Sequence, residues 1–295
     1  MDRQQQVLLF FQKKKLLTTT NELYANHIID LFSWMVKADA TDVTSSNLSI
    51  SGEGVAHVVS KQSGIVAGIE EIGYLLTHNT KLVVTSKVID GELVIKGDVI
   101  LTLQGSNREL LSYERVILNI LGRMSGIATF TSNFVSIVQK VKNPPKLGTT
   151  RKTPWMLLDK KAVAVGGGFT HRLNQADFAL IKDTHLDIMK KQLQQKSSED
   201  IFTAVVKKMI AVSSFFEIEV KTVSQARKVL DIFQQSKQKN GLIFAMMLDN
   251  FELKSAQKLM VEIKKLSFYK NILIEASGEI TEKNLLLWAK TGVDL

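Results

Sequence analysis

The sequence predicts an α/β protein: an N-terminal α+β region followed by a repeating strand–helix pattern. Two observations support this prediction. Before the proline cluster at Pro144–Pro145, strands, helices and Gly-containing turns are mixed. After it, short apolar runs alternate with amphipathic stretches of helical spacing, which is typical of a parallel sheet with helices outside. We expect an N-terminal α+β domain over residues 1–120 and a (β/α) domain over 121–295.

The N-terminal region begins with a helix over 21–37, because its apolar residues recur at helical spacing and Asn21 is a suitable N-cap. Residues 39–48 are polar and predict a loop. Asp90-Gly91 and Gly97-Asp98 indicate turns. Further elements are expected as strands over 54–59, 65–67, 81–86 and 99–103, and as helices over 70–78, 107–121 and 127–141.

The C-terminal region carries five apolar runs that predict strands, each followed by a predicted helix. The expected strands are 147–150, 178–181, 215–220, 242–248 and 272–276. The expected helices are 155–165, 199–212, 223–233, 253–266 and 282–290.

Composition limits the class of protein. Hydrophobic residues make up 45% and charged residues 23% of the chain, which is typical of a globular fold. The absence of cysteine excludes disulfides, thiolate metal sites and a cysteine nucleophile. The formal charge of +9 favours an anionic partner, but the basic residues are spread along the chain, which weakens a nucleic-acid interpretation. No apolar run approaches the roughly 20 residues of a membrane span, so we expect a cytoplasmic protein without a membrane partner.

Residues 149–185 carry the densest group of chemically informative side chains. Arg151 and Lys152 are adjacent, a glycine triplet at 166–168 precedes His171 and Arg172, and a short apolar run ends at Lys182. Guanidinium groups bind carboxylates and phosphates in bidentate fashion, and glycines allow close backbone approach to a ligand. The segment therefore predicts a site for a small, strongly anionic molecule.

Polar side chains at the ends of the later strands supply the opposite charge. Glu217 and Glu219 alternate on one strand and so share a face with Lys221, and another strand ends in Asp249. Active sites of (β/α) barrels lie at the carboxyl ends of the strands. Each feature also has a structural alternative, such as a solvated loop pair or a flexible glycine run, and only their joint occurrence at strand ends favours a site.

A series of short motifs then resembles one family in order along the chain. They are D-V-T-S from Asp42, S-G-I-V-A-G from Ser63, E-R-V-I-L-N and S-G-I-A-T between Glu114 and Thr129, T-R-K-T from Thr150, G-G-G-F-T-H-R from Gly166, L-I-K-D-T-H from Leu180, E-I-E-V from Glu217, M-L-D-N from Met247 and I-E-A-S-G from Ile274. Together they resemble the carboxylating nicotinate-nucleotide pyrophosphorylases, also called quinolinate phosphoribosyltransferases.

The resemblance implies an α+β sandwich followed by an open (β/α) barrel, C-terminally shortened at Leu295. It implies a Mg2+-dependent enzyme that transfers phosphoribose from phosphoribosyl pyrophosphate to quinolinate and releases CO2. The implied quinolinate ligands are Arg151, His171, Arg172, Lys182 and, from the neighbouring subunit of a homodimer, Arg115. Carried over in the same way, Lys152, Glu219 and Asp249 are expected to face phosphoribosyl pyrophosphate, the two carboxylates also holding Mg2+, while Ser277 and Gly278 are expected to hold the 5′-phosphate.

Three departures from the family pattern lie in these motifs: T-R-K-T-P-W-M-L-L from Thr150 is shorter than the usual family segment, Thr184 replaces an asparagine, and Glu279 replaces a glycine beside the expected phosphate loop. A carboxylate at that position should repel a phosphate. Three alternatives therefore stay open at the level of sequence: a non-catalytic relative that binds a phosphorylated ligand, a molybdenum-utilisation paralogue, and, more weakly, a nucleic-acid-binding protein.

Overall fold

A computed structural model describes residues 1–39, 41–192, 198–236 and 241–295. The chain divides into two compact units. The parallel unit comprises Met1–Phe11, Ser136–Leu147 and Asn174–Leu295, and the antiparallel unit comprises Gln12–Val135 and Gly148–Leu173.

The antiparallel unit contains two small antiparallel sheets, one with strand order β1-β5-β3 and one formed by β2 and β4. Its strands are β1 (Glu53–Val59), β2 (Gly64–Ile65), β3 (Val83–Ser86), β4 (Leu93–Val94) and β5 (Val99–Ser106). Its helices are α2 (Glu22–Ala38), α3 (Val43–Asn47), α4 (Ile69–Asn79), α5 (Asn107–Val138, whose last three residues belong to the parallel unit) and α6 (Leu157–Val165).

Sequence features account for the way these helices begin and pack. The Asn21 side chain accepts a hydrogen bond from Tyr24 N at the start of α2, as expected of an N-cap. The buried faces of α2, α4, α5 and α6 share one apolar core with the two sheets. Helix α5 runs through Gly122 and Gly126 without a break, because buried residues such as Ile120 and Met124 hold that stretch in the core.

The parallel unit is built on a four-stranded parallel sheet in the order β6-β7-β8-β9. The strands are β6 (Ala179–Ile181), β7 (Phe215–Val220), β8 (Ile243–Asp249) and β9 (Ile272–Ser277). The helices are α1 (Arg3–Phe11), α7 (Asp183–Gln192), α8 (Ser198–Val212), α9 (Val223–Gln235), α10 (Leu253–Ile263) and α11 (Glu282–Ala289).

The two faces of this sheet differ in chemistry. Ile218, Met246 and Ile274 lie in register on one face, and helices α8–α11 pack on that face to form a continuous apolar core. The other face carries Glu219, Met247 and Glu275 in register, because side chains alternate along a strand. The polar face is therefore the one that can carry chemistry.

Helix α1 belongs to this unit although it opens the chain. The Phe10 ring stacks on Phe215 with centroids 3.8 Å apart, and Phe11 packs edge-on against Phe178. The Arg3 guanidinium pairs with Asp294 and lies 3.8 Å from the centre of the Tyr269 ring. Backbone bonds join Asp294 and Leu295 to β9, through Ile274 O and Ala276 N.

The predicted mixed α/β fold with a parallel-sheet C-terminal region is confirmed, with local corrections. The predicted strand 147–150 forms only an isolated bridge between Gly148 and Phe169, since one bonded pair does not extend into a ladder. The predicted loop over 39–48 contains the short helix α3, because the Asp42 side chain caps Ser45 N. The two predicted helices 107–121 and 127–141 are one helix, α5. Among the residues that the structure describes, no helix has the length and apolar character to cross a membrane.

Candidate active site

The carboxyl edge of the parallel sheet holds an ion pair on its polar face. The Lys182 ammonium, directly after β6, pairs with the Glu219 carboxylate of β7. The Glu219 side chain is 11% exposed and that of Lys182 is 39% exposed. A charged pair at this depth remains open to a ligand while being partly shielded from water, which strengthens its interaction with an incoming ion.

A second ion pair lies at the same edge. Lys221, two residues beyond Glu219, pairs with Asp183 at the start of α7. The bond from Lys221 lowers the pKa of Asp183, and Asp183 in turn raises the pKa of Lys221. His185 Nδ1 accepts a hydrogen bond of 3.0 Å from Lys182 N, so the K-D-T-H motif fixes the backbone at which the lysine side chain starts. Thr184 is exposed.

The neighbouring strand ends bring Asp249 beside the Ser277–Gly278 turn. Asp249 pairs with Ser277 across β8 and β9, and lies two residues beyond the register partner of Glu219, so both carboxylates belong to the polar face. Asn250 N donates to Ser277 O at 2.8 Å. Gly278 has a φ of +93°, and a Cβ there would lie 2.1 Å from Asn250 Oδ1, so this turn requires glycine.

The next residue, Glu279, has a φ of +50° and is exposed. Its carbonyl oxygen accepts a bond from Asn284 Nδ2, within the capping box at the start of α11. Glu279 thus has a left-handed backbone conformation, which glycine adopts without strain.

Arg151 and Lys152 lie in an exposed turn of the antiparallel unit. Lys152 N donates to Thr150 Oγ1 at 3.0 Å. The turn is closed by Trp155, whose N–H donates to Asp159 Oδ2 at 3.1 Å. Asp159 also accepts two bonds from Arg123, at 2.7 and 2.8 Å. The backbone N–H of Trp155, in the segment where the chain is shorter than the family pattern, therefore anchors the turn to α6.

His171 and Arg172 are both buried in the same unit. His171 has a φ of +52°, an uncommon value for a residue with a Cβ. Arg172 N donates to His171 Nδ1 at 2.8 Å. Since Nδ1 is the acceptor, it carries no proton, and the proton of the neutral ring lies on Nε2. Such a donor suits a carboxylate ligand.

Two glycines of the triplet before His171 pack tightly against neighbouring helices. A Cβ at Gly166 would lie 2.3 Å from Ala128 O, and one at Gly168 would lie 2.6 Å from Val163 Cγ1. Only glycine permits this close approach to helices α5 and α6. Gly167 alone has a positive φ, of +89°. The close packing of Gly166 and Gly168 therefore fixes the backbone that leads to His171.

Two further basic residues of the antiparallel unit, Arg115 and Lys160, differ sharply in exposure. Arg115 lies on α5 and is exposed. Lys160, which the sequence analysis did not single out, is 1% exposed and donates to Thr170 O at 2.6 Å and Thr149 O at 3.3 Å. Its signal was available: Lys160 lies three residues after Leu157 on α6, on the side that faces the core.

An α/β protein with paired charges at the carboxyl ends of parallel strands belongs to the class in which small charged ligands bind at that edge. The particular family follows from sequence. Residues 42–125 match the N-terminal domain and residues 127–295 the C-terminal domain of quinolinate phosphoribosyl transferase. The chain belongs to the quinolinate phosphoribosyltransferase family.

Relatives that match most of the chain agree. The chain is 30% identical over 273 residues to a probable carboxylating nicotinate-nucleotide pyrophosphorylase of Methanothermobacter thermautotrophicus, covering 91% of this chain and 92% of the relative. It is 31% identical to the decarboxylating quinolinate phosphoribosyltransferase 1b of Nicotiana tabacum, over 86% of this chain and 72% of the relative. The structure of nicotinate-nucleotide pyrophosphorylase from Francisella tularensis superposes with a TM-score of 0.73 at 26% identity, covering 91% and 89% of the two chains.

Proposed function

We propose that this chain transfers the phosphoribosyl group of phosphoribosyl pyrophosphate to the nitrogen of quinolinate and releases CO2, giving nicotinate mononucleotide and pyrophosphate. The observation that carries the proposal is the position of Lys182, Glu219 and Asp249 on the polar face of the sheet, in a chain of this family. The relatives named above are pyrophosphorylases and phosphoribosyltransferases of this type.

Quinolinate carries two carboxylates, and the cations of each unit suit them. In the antiparallel unit, Arg151, Arg172 and the Nε2–H donor of His171 bind carboxylate oxygens. In the parallel unit, Lys182 is a further carboxylate ligand. Since guanidinium groups bind carboxylates in a fixed planar geometry, Arg151 and Arg172 are suited to orienting the pyridine ring.

The transfer forms a bond between the ring nitrogen and ribose C1 and breaks the bond from C1 to pyrophosphate. Positive charge develops on C1 as pyrophosphate leaves, and the carboxylates of Glu219 and Asp249 stabilise it. Lys152 binds the departing phosphates. Ser277 and Gly278 hold the 5′-phosphate, and their position ahead of α11 suits an anion. Loss of CO2 then leaves an electron pair on the ring carbon beside the cationic nitrogen, and a proton replaces the lost carboxylate.

A bound Mg2+ would neutralise charge on pyrophosphate. Mg2+ favours one or two protein carboxylates with substrate and water oxygens completing its shell, and Glu219 with Asp249 offers such a donor set on one face. The donor chemistry of this edge therefore fits the ion.

We also propose that the protein works as a homodimer in the cytoplasm. Exposed Arg115 would then bind quinolinate in the neighbouring subunit, which explains why a family-motif arginine lies on a helix surface. Nucleic acid and membrane partners are not part of the proposal. The non-catalytic and molybdenum-utilisation alternatives are not favoured, because the named relatives carry the quinolinate activity over most of this chain's length.

The test combines turnover with binding. Purified protein is supplied with quinolinate, phosphoribosyl pyrophosphate and Mg2+, and pyrophosphate and nicotinate mononucleotide are measured. Calorimetric titration of quinolinate into the wild type, Arg172→Ala and the exposed control Lys96→Ala gives the affinity. We expect turnover in the wild type and at least about a tenfold loss of quinolinate affinity in Arg172→Ala alone, as removal of a charged hydrogen-bond partner predicts. Folded wild-type protein without products would refute the function.

A further inference from the structure

We infer that Lys160 is a positioning residue. Its single ammonium group fixes the backbone of two cationic segments of the quinolinate site, one that carries Arg151 and one that carries His171 and Arg172. The inference rests on the proposed function. Lys160 is one of two adjacent lysines on α6, yet its side chain is turned into the interior and is 1% exposed. A charge at that depth is costly unless polar groups surround it. What surrounds the Lys160 ammonium includes the backbone of both segments.

The two carbonyls that it binds belong to different parts of the chain. Thr170 O accepts at 2.6 Å, and the next residues are His171 and Arg172. Thr149 O accepts at 3.3 Å, two residues before Arg151. One ammonium therefore joins the segment that carries Arg151 to the segment that carries His171 and Arg172.

Other contacts show that the two segments are aligned side by side. Gly148 forms a parallel bridge with Phe169, and Thr149 N donates to Phe169 O at 2.9 Å. Thr170 is fully buried, and its hydroxyl donates to His171 O at 3.1 Å. Because this bridge is a single residue pair, the bonds from Lys160 help to hold the two segments together, as further backbone bonds do in a longer strand ladder. Displacing the segments by about 1 Å would cost about 10²-fold in a reaction that depends on orientation.

Lys161 provides a matched comparison at the next position. Its ammonium lies 2.7 Å from a Glu70 carboxylate oxygen and 2.8 Å from Leu17 O, and among the described residues it contacts neither cationic segment. Substitution of either lysine by methionine removes one charge from α6 and keeps a similar side-chain length. Only Lys160→Met removes the donor shared by Thr149 O and Thr170 O.

The first readout does not depend on the function. Hydrogen exchange followed by mass spectrometry reports on peptides that contain Thr149 and Arg172, whose amides are both hydrogen-bonded. Loss of the Lys160 bonds should speed exchange in these peptides by about fivefold or more, whereas Lys161→Met should leave them unchanged. Unchanged exchange in folded Lys160→Met would overturn the inference.

The second readout separates positioning from stability. We expect Lys160→Met to raise the KM for quinolinate by at least about tenfold, and Lys161→Met by less than about threefold, at equal fractions of folded protein. A purely structural role would lower the yield of active enzyme, and hence apparent kcat, with the quinolinate KM unchanged. That result would overturn the inference. Wild-type protein that fails to bind quinolinate would instead refute the proposed function, and exchange would still show whether Lys160 joins the segments.

The absence of cysteine allows a rescue experiment. Lys160→Cys is aminoethylated while unfolded and refolded, which restores an ammonium on a side chain of nearly the same length. We expect the quinolinate KM to return to within about threefold of wild type, while unmodified Lys160→Cys stays impaired. If Lys160→Met does not fold, Lys160→Arg takes its place: a wild-type quinolinate KM in both Lys160→Arg and unmodified Lys160→Cys overturns the inference.

Discussion

Substitution of Glu71 by glutamine should stabilise the protein, and the gain should grow with pH. Glu71 lies on α4 and is fully buried. Its Oε1 accepts a hydrogen bond of 2.6 Å from the Tyr24 hydroxyl, and the ammonium of Lys161 lies 3.9 Å away. Glutamine keeps an acceptor for Tyr24 and cannot ionise.

The expected magnitude follows from the pKa of Glu71. Burial, reinforced by the nearby carboxylate of Asp90, raises this pKa from 4.5 to about 7. Below pH 4.5 both the folded and the unfolded chain hold the proton, so the carboxyl group costs nothing. Between pH 4.5 and about 7 only the unfolded state releases it, and stability falls as pH rises. At about 1.36 kcal/mol for each pH unit, the full cost above pH 7 is about 3 kcal/mol.

The assay is urea denaturation of wild type and Glu71→Gln from pH 4 to pH 8. The difference in unfolding free energy between the two proteins should grow by about 3 kcal/mol across that range, since the titrations of groups that do not interact with Glu71 cancel. A difference that does not change with pH would refute the reasoning, because it would mean that Glu71 ionises alike in both states.

Glu70→Gln is the matched control and should respond with the opposite sign. Burial acts to raise the pKa of Glu70, but bonds from Lys161 and from Thr19 outweigh it and the pKa is lowered. A lowered pKa contributes stability above the unfolded value that is lost as pH falls. Glu70→Gln should therefore be less stable than wild type at pH 8, and the gap should narrow towards pH 4.

Three further predictions concern the candidate site. Gly166→Ala should destabilise the fold by about 1–3 kcal/mol in urea denaturation, because the new methyl group meets the α5 backbone. The control Gly126→Ala, on open helix surface, should stabilise it by about 0.5–1 kcal/mol. Equal effects of the two substitutions would contradict the packing role of Gly166. Glu279→Gly should lower the KM for phosphoribosyl pyrophosphate and relieve about 1 kcal/mol of backbone strain. Glu279→Ala removes the charge but keeps the strain, so it should lower the KM without the gain in stability. An unchanged KM in both variants would show that the carboxylate points away from the bound phosphate. Chelation of divalent ions should abolish turnover and Mg2+ should restore it, while calorimetry should still detect quinolinate; turnover that persists in chelator would contradict the assignment of Glu219 and Asp249 as Mg2+ ligands.

Much of the parallel unit was predictable because its strands are short apolar runs between amphipathic helices. Strand β7 was predicted with its observed limits, and the alternation of Glu217 and Glu219 predicted the face on which the charged groups lie. The parallel register then places Asp249 on that face without further information. The helix start at Asn21 was equally local, since a capping side chain and the residues it caps are close in sequence.

Long-range contacts were not predictable from local patterns. The glycine triplet indicated flexibility, but the close approach of Gly166 to Ala128 depends on the packing of α6 against α5. The helix position of Lys160 indicates an inward side chain, but its two partners, the carbonyls of Thr170 and Thr149, lie 10 and 11 residues away. Helix α1 was missed for the same reason, because its apolar residues contact strands far along the chain.

The position of α1 has a consequence for biosynthesis. Arg3 and Asp294 are separated by 291 positions in sequence and meet in the parallel unit. During translation α1 emerges long before the strands that it packs against. The residues of the antiparallel unit are made before most of the parallel unit, so they can fold while the phenylalanines of α1 are still exposed. Such species are prone to aggregation and are natural clients of chaperones. An N-terminal affinity tag should therefore disturb late folding more than a tag placed in an exposed turn of the antiparallel unit.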